Sequence, residues 1–192
     1  NTSSPSTNFV VNGSAIVGAT NNTVTGTNAM AVGQSNTVAA NYSLVSGFVN
    51  NDQGVDDIMG GTFGYIGSGY GHSIVVGYQD TVLASAASAF GFLNHVYAFE
   101  GFATGDRDTA TGQASSVFGN NNNAKGWSSI AMGANNQAQS YTEVSIGMFG
   151  TTYTPGSTTA YSATDRAFNV GNGQNASSRS DAFNVLKTGN VG

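Results

Sequence analysis

Two histidines, ten carboxylates and a scatter of aromatic rings carry whatever chemistry this 192-residue chain can do. His72 and His95 have no cysteine beside them and no H-x-x-x-H spacing, so the convergent donor set of a zinc site is missing, and both read as turn or surface residues. Serine is abundant, but no G-x-S-x-G elbow raises one of them into a nucleophile. "GSGYGH" (Gly67 to His72) has the glycines of a phosphate loop without its lysine and without a following helix, and a turn insertion explains it better. The acidic pairs Asp56–Asp57 and Asp106/Asp108 offer oxygen ligands, yet neither has the spacing of a calcium loop, and both read as solvated turns. The expectation is therefore no catalytic residue, no cofactor and no metal. The aromatics are the better candidates for contact with a ligand: Phe48, Tyr78 and Phe92 share one phase of a repeat, and Tyr65 and Tyr70 lie in a glycine-rich stretch between the first two.

Composition narrows the classes further. Charged residues are 8% of the chain, against roughly 25% in an ordinary soluble domain. Five lysines and arginines in a chain of net charge -5 cannot replace the counterions of a nucleic acid or form a polybasic membrane patch. No apolar run reaches bilayer length. Cysteine is absent, and no secretory signal is visible in "NTSSPSTNFV", which suggests a mature form or a fragment. The scarcity of Cys, Lys and Leu fits an exported surface protein.

What could position those rings is a repeat. Glycines fall at Gly18, Gly33, Gly47, Gly61, Gly77, Gly91, Gly105, Gly119, Gly133 and Gly147, at intervals of 15, 14, 14, 16 and then 14 throughout. Three residues after the glycine comes a turn former (Asn36, Asn50, Asp80, Asn94, Asp108, Asn122, Asn136), and five after comes a small or β-branched residue, with Asp52 the exception. Fourteen residues suit one coil of a β-solenoid, with two short strands and two tight turns in which Gly and Asn supply positive φ.

The strand before each glycine alternates. Positions minus three (Met30, Leu44, Ile74, Phe102, Ile130) and minus one (Val32, Val76, Phe90, Phe118, Met132) are the larger, and the expectation is that they fill the interior. Position minus two (Ala31, Val45, Val75, Ala89, Ala103, Val117, Ala131) would then face outward, where a small apolar strip calls for cover by another chain. Phe90 and Phe118 are expected to be buried, each facing the serine of its own coil, Ser88 or Ser116.

The phrases "SAIVG", "SSIAMG" and "EVSIG", the first two followed by Asn and a small residue, resemble the YadA-like head repeats of trimeric autotransporter adhesins over about residues 8 to 150. The resemblance implies an all-β fold, a left-handed parallel β-roll of about 14-residue coils, assembled as a homotrimer and binding a surface. The chain departs from that pattern in using Asn or Asp where Ser is usual and in its Phe-rich coils. Residues 1–150 are thus expected to be the head and residues 151–192 a C-terminal β segment leading to a neck or stalk. In the latter, "AFNV" occurs at Ala167 and again at Ala182, which reads as two paired strands, and the segment is similar to tail-fibre-type C-terminal regions of bacterial and phage proteins.

The functional expectation is a non-enzymatic trimeric fibre head, extracellular or on a bacterial surface, that adheres to a host or cell-surface receptor, protein or glycan, through Phe48, Tyr65, Tyr70, Tyr78 and Phe92. A receptor-binding tail fibre of a phage or contractile injection system is the alternative. A solenoid lyase would need an acidic groove, and an ice-binding solenoid aligned Thr-x-Thr rungs; the chain has neither.

Overall fold

The structure is a computed structural model, in which residues 9–11, 13–17 and 21–191 are described; Gly18, the first rung of the ladder, lies outside them. The described residues form no helix, and therefore none long and apolar enough to cross a membrane. They build a parallel β-solenoid of about nine turns, in which one sheet of thirteen strands lies against a second of nine.

Each coil contributes a five-residue strand such as Ser116–Asn120 to the first sheet and a two-residue strand such as Asn123–Ala124 to the second. Successive coils pair in parallel and in register, glycine on glycine: Gly77 on Gly91, Gly91 on Gly105, Gly105 on Gly119 and Gly119 on Gly133. Gly119 shows why the slot is fixed. Its φ is +126, and a Cβ there would run into the carbonyl of Gly133 on the next coil. The 16-residue interval is absorbed where the sequence suggests, in the turn between the strands Tyr65–Ile66 and Ile74–Tyr78.

Positive φ is not confined to Gly and Asn. Each coil turns two corners on left-handed residues, and Val49 (φ 55), Leu93 (φ 57), Glu100 (φ 57), Arg107 (φ 57) and Thr142 (φ 55) are among them. This conformation costs an L-residue about 1–2 kcal/mol. The stack offsets it by giving each corner N–H a carbonyl on the preceding coil, as Val49 to Gln34 at 3.0 Å, Leu93 to Tyr78 at 2.9 Å and Thr142 to Trp127 at 2.8 Å.

The facing of the long strand is the reverse of the expectation. Position minus two is the interior: Ala31, Val45, Met59, Val75, Ala89, Ala103, Val117 and Ala131 are all 0% exposed. They pack against Val38, Ile66, Val82, Val96, Ala110, Ala124 and Ala138 of the second sheet, also fully buried. The coil is narrow, and only small and medium side chains fit between its two sheets. The larger residues at minus three and minus one point outward; Leu44, Ile58, Val76 and Met132 are exposed, and Phe90 and Phe118 are half-buried rather than buried.

The turn formers three residues past the glycine also point in. Asn36, Asn50, Asn94, Asn122 and Asn136 are buried and bonded from coil to coil.

Both ends of the stack close with antiparallel pairs. Phe9–Val11 folds on Ser14–Val17 at one end. At the other, Arg166–Asn172 joins the long sheet in parallel register, Gly171 beside Gly147, and pairs antiparallel with Asp181–Leu186, so the two "AFNV" phrases do sit on paired strands. Residues 151–165 run along the coil edges, where Thr158 and Ser157 accept the backbone N–H groups of Trp127 and Tyr141 at 2.8 and 3.2 Å.

Candidate interaction surfaces

The two outer faces of the solenoid differ in chemistry. The outward row of the short-strand sheet is mostly polar: Thr37, Asn51, Thr81, His95, Thr109, Asn123 and Gln137 alternate with the buried row. The outward rows of the long-strand sheet are apolar along most of its length. On that face large and small residues alternate between neighbouring coils, Ser88 beside Phe102 beside Ser116 and Phe90 beside Thr104 beside Phe118. The three phenyl rings interlock across the gaps at 5.8 Å (Phe90–Phe102) and 5.5 Å (Phe102–Phe118). The expected packing of Phe90 and Phe118 against small residues is thus met between coils on the outer face, not inside one coil.

Beside this face, along the first corner, runs an aromatic strip. Phe48, Tyr78 and Phe92 occupy it as the repeat phase predicts, and Phe63 completes it. Centroids lie 5.7 Å apart for Phe48–Phe63, 5.9 Å for Phe63–Tyr78 and 5.2 Å for the stacked pair Tyr78–Phe92. Sequence phase misses Phe63 because it sits one residue late; Thr62 holds the strip position in that coil, and the Phe63 ring projects from the left-handed corner beside it. The strip ends where Arg107 lies over Phe92 at 5.8 Å and binds Asp106 at 3.2 Å, with the Asn120 amide donating to the same carboxylate at 2.7 Å.

Tyr65 and Tyr70 are not part of that strip. Tyr65 faces outward from the short-strand sheet, and Tyr70 packs with Leu83 over Gly67 in the inserted turn. The five aromatic candidates therefore divide into three on one corner, Tyr65 on the opposite sheet and Tyr70 in the inserted turn. The histidines stay apart as well: His72 at a corner contacts Asp56 at 3.3 Å, and His95 stacks on Tyr97 at 5.9 Å. Among the described residues no three His, Cys, Asp or Glu side chains converge on a point that could hold a metal ion.

Two of the carboxyls read as solvated turns, Asp57 and Asp108, are buried. Asp57 is 1% exposed, and beside it Asp52, in the slot where other coils hold Val or Ala, is 0% exposed. Burial, reinforced by the Asp52 carboxyl beside it, pushes Asp57 up to about 7. Burial likewise raises Glu143, whose Oε2 accepts the N–H groups of Gln139 and Ser140 and the Tyr153 hydroxyl. Burial lifts the Tyr153 phenol to about 12. Arg166 lies 4.5 Å over the Tyr153 ring and pairs with Asp181 at 3.2 Å, and Thr151 donates to Asp181 as well. These groups close the last coil, where the Tyr153 and Thr151 hydroxyls are spent on the Glu143 and Asp181 carboxyls. A depression beside them is lined by Asp181, Asn184, Leu186, Asn190 and Val191.

Residues 25–48 and 110–136 match the YadA head domain repeat, in two copies. Each matched stretch spans two long strands and the short strand between them, Met30–Gln34 to Leu44–Phe48 and Ser116–Asn120 to Ile130–Ala134. The coils between the two YadA-type copies keep the same register, so the matched stretches are parts of one continuous stack. A comparison with curated proteins finds no match. The YadA head repeat is an adhesin-type structural repeat, and the solenoid described above is an adhesin-type fold.

Proposed function

We propose that the chain is the non-enzymatic head of a homotrimeric surface fibre, and that it adheres to a cell-surface or matrix receptor, protein or glycan. The observation that carries this reading is the two-faced solenoid. A soluble monomer rarely exposes a long contiguous apolar face, and here Leu44, Ile58, Val76 and Met132 stand 42–50% exposed along one sheet. Three copies packed through that sheet bury it, and they leave the polar short-strand sheet turned to the surroundings. Tyr65 and Tyr70 then face a receptor. Phe48, Tyr78 and Phe92, with Phe63, border the seam between subunits and offer rings at its edge. The head is extracellular, on a bacterial surface, and the repeat match supports that placement over a tail fibre.

Two single variants test the division of labour. Tyr70→Ala is expected to reduce adhesion of fibre-displaying cells to host matrix while the melting temperature stays put. Tyr78→Ala is expected to lower trimer melting by several degrees. Unchanged adhesion and unchanged melting in the double variant would remove both surfaces from the account.

A further inference from the structure

The buried asparagines make one bonding pattern, coil after coil. Asn36, Asn50, Asn94, Asn122 and Asn136 each donate through Nδ2 to the carbonyl four residues back and to the ladder-glycine carbonyl of the next coil, at 2.6–3.1 Å. Each Oδ1 accepts the backbone N–H of the same slot one coil on. The amide is thus both donor and acceptor, and both functions are used.

Asp80 and Asp108 occupy the same slot and are 0% exposed. Their Oδ1 atoms keep the acceptor half of the pattern, taking the N–H of Asn94 at 2.7 Å and of Asn122 at 2.8 Å. Their Oδ2 atoms stand where the amide nitrogen stands elsewhere. The side-chain atom closest to the ladder glycine's missing Cβ is Nδ2 of Asn50, Asn94 and Asn122 at Gly47, Gly91 and Gly119, and it is Oδ2 of Asp80 and Asp108 at Gly77 and Gly105. Both Oδ2 atoms are buried without a hydrogen-bond partner. The pattern supplies two backbone carbonyls at that place, Val76 and Gly91 for Asp80, and Thr104 and Gly119 for Asp108. A carboxylate would meet them acceptor to acceptor; a carboxylic acid has the missing hydrogen.

The geometry points to Asp80 and Asp108 being held as neutral carboxylic acids in the folded head, each Oδ2–H replacing an asparagine amide, so that the stack tightens as the surroundings turn acidic. The neighbouring charges agree. Tyr65, Tyr78 and His95 are the titratable groups on the strands around Asp80, all on outward rows. Around Asp108 they are His95, Asp106 and Arg107, and Arg107 is paired with Asp106. Among the described residues no cation pairs with either buried acid, and Asp106 adds repulsion at Asp108. Burial outweighs the opposing bonds from Asn94 and the Gly91 backbone at Asp80, and from Asn122 and the Gly119 backbone at Asp108; it raises Asp80 above the usual carboxylate range and pushes Asp108 up to about 6. An acid whose folded value lies above its unfolded one binds more protons when folded. Its contribution is present in full below the unfolded value and is lost as pH rises through the folded one.

The test is the double variant Asp80→Asn/Asp108→Asn, which restores the asparagine pattern and therefore folds. Thermal midpoints of variant and wild type are compared at about pH 5, below the folded value of Asp108, and at about pH 8, above it. The expected result is a variant several degrees more stable than wild type at the higher pH, with the gap shrinking or vanishing at the lower. An equal gap at both pH values, or a variant no more stable than wild type at the higher, would overturn the proposal. So would a wild type that calcium chloride or sodium chloride stabilises at the higher pH when the variant does not respond, because that would mean ionised carboxylates holding a cation. Infrared spectra at the lower pH give a second readout: the variant should lose intensity in the protonated-carboxyl C=O band.

Discussion

The interior residues are small because two sheets of a narrow coil leave room for little else, and their energetics follow from that. Met59 is the largest wholly buried apolar side chain, with Ile66 in the facing short strand. Met59→Ala should cost about 2–4 kcal/mol by opening a cavity that flat, hydrogen-bonded coils cannot collapse into. Ala103→Leu should cost about 1–3 kcal/mol in the opposite sense, by overpacking. Denaturant titration reads both, and changes under about 0.5 kcal/mol would contradict the facing. Sequence alternation alone reverses this facing. A strand apolar on both sides carries no polar row to mark the outside, and the larger side chains look like core although they stand on the outer face. Buried acids are hidden for a similar reason, since Asp57 beside Asp56 has the composition of a solvated turn. Burial raises Asp57 to about 7, so the folded chain binds its proton more tightly than the unfolded one. Stability should therefore decline as pH rises from about 4 through about 7 and level off above, and Asp57→Asn should flatten that part of the profile. A wild-type midpoint that climbs steadily over the same range would contradict the raised value.

The coil as an element was legible in the sequence. The glycine phase gives the register, and the repeated "AFNV" gives the closing antiparallel pair. The corners were not, because left-handed residues such as Val49, Leu93 and Thr142 leave no compositional trace; the stack imposes the conformation through inter-coil hydrogen bonds. That account makes opposite forecasts for two substitutions. Thr142 is exposed, β-branched and at φ 55, so Thr142→Gly should stabilise by about 1 kcal/mol despite the entropy glycine adds to the unfolded chain. Gly119→Ala should destabilise by about 2 kcal/mol or more, because its Cβ meets the Gly133 carbonyl and its φ is +126. Thermal unfolding distinguishes them by sign. Destabilisation by Thr142→Gly would mean the corner stores no strain.

At the scale of the whole molecule, the apolar long-strand face is the feature the other two scales leave unexplained. The Phe90–Phe102–Phe118 cluster is assembled from three coils and remains half-buried in a single chain. If that face is covered by further copies, Phe118→Ala should weaken assembly, and its melting penalty should grow as protein concentration falls. The measurement that bears most directly on the proposed head is the native mass by multi-angle light scattering at micromolar concentration, for wild type and for Val76→Glu/Met132→Glu. The account predicts three times the 19.5 kDa chain mass for the wild type and a shift toward single chains in the variant, whose two new charges lie on the exposed apolar face. A wild-type mass of 19.5 kDa, or a variant that keeps the wild-type mass, would contradict it.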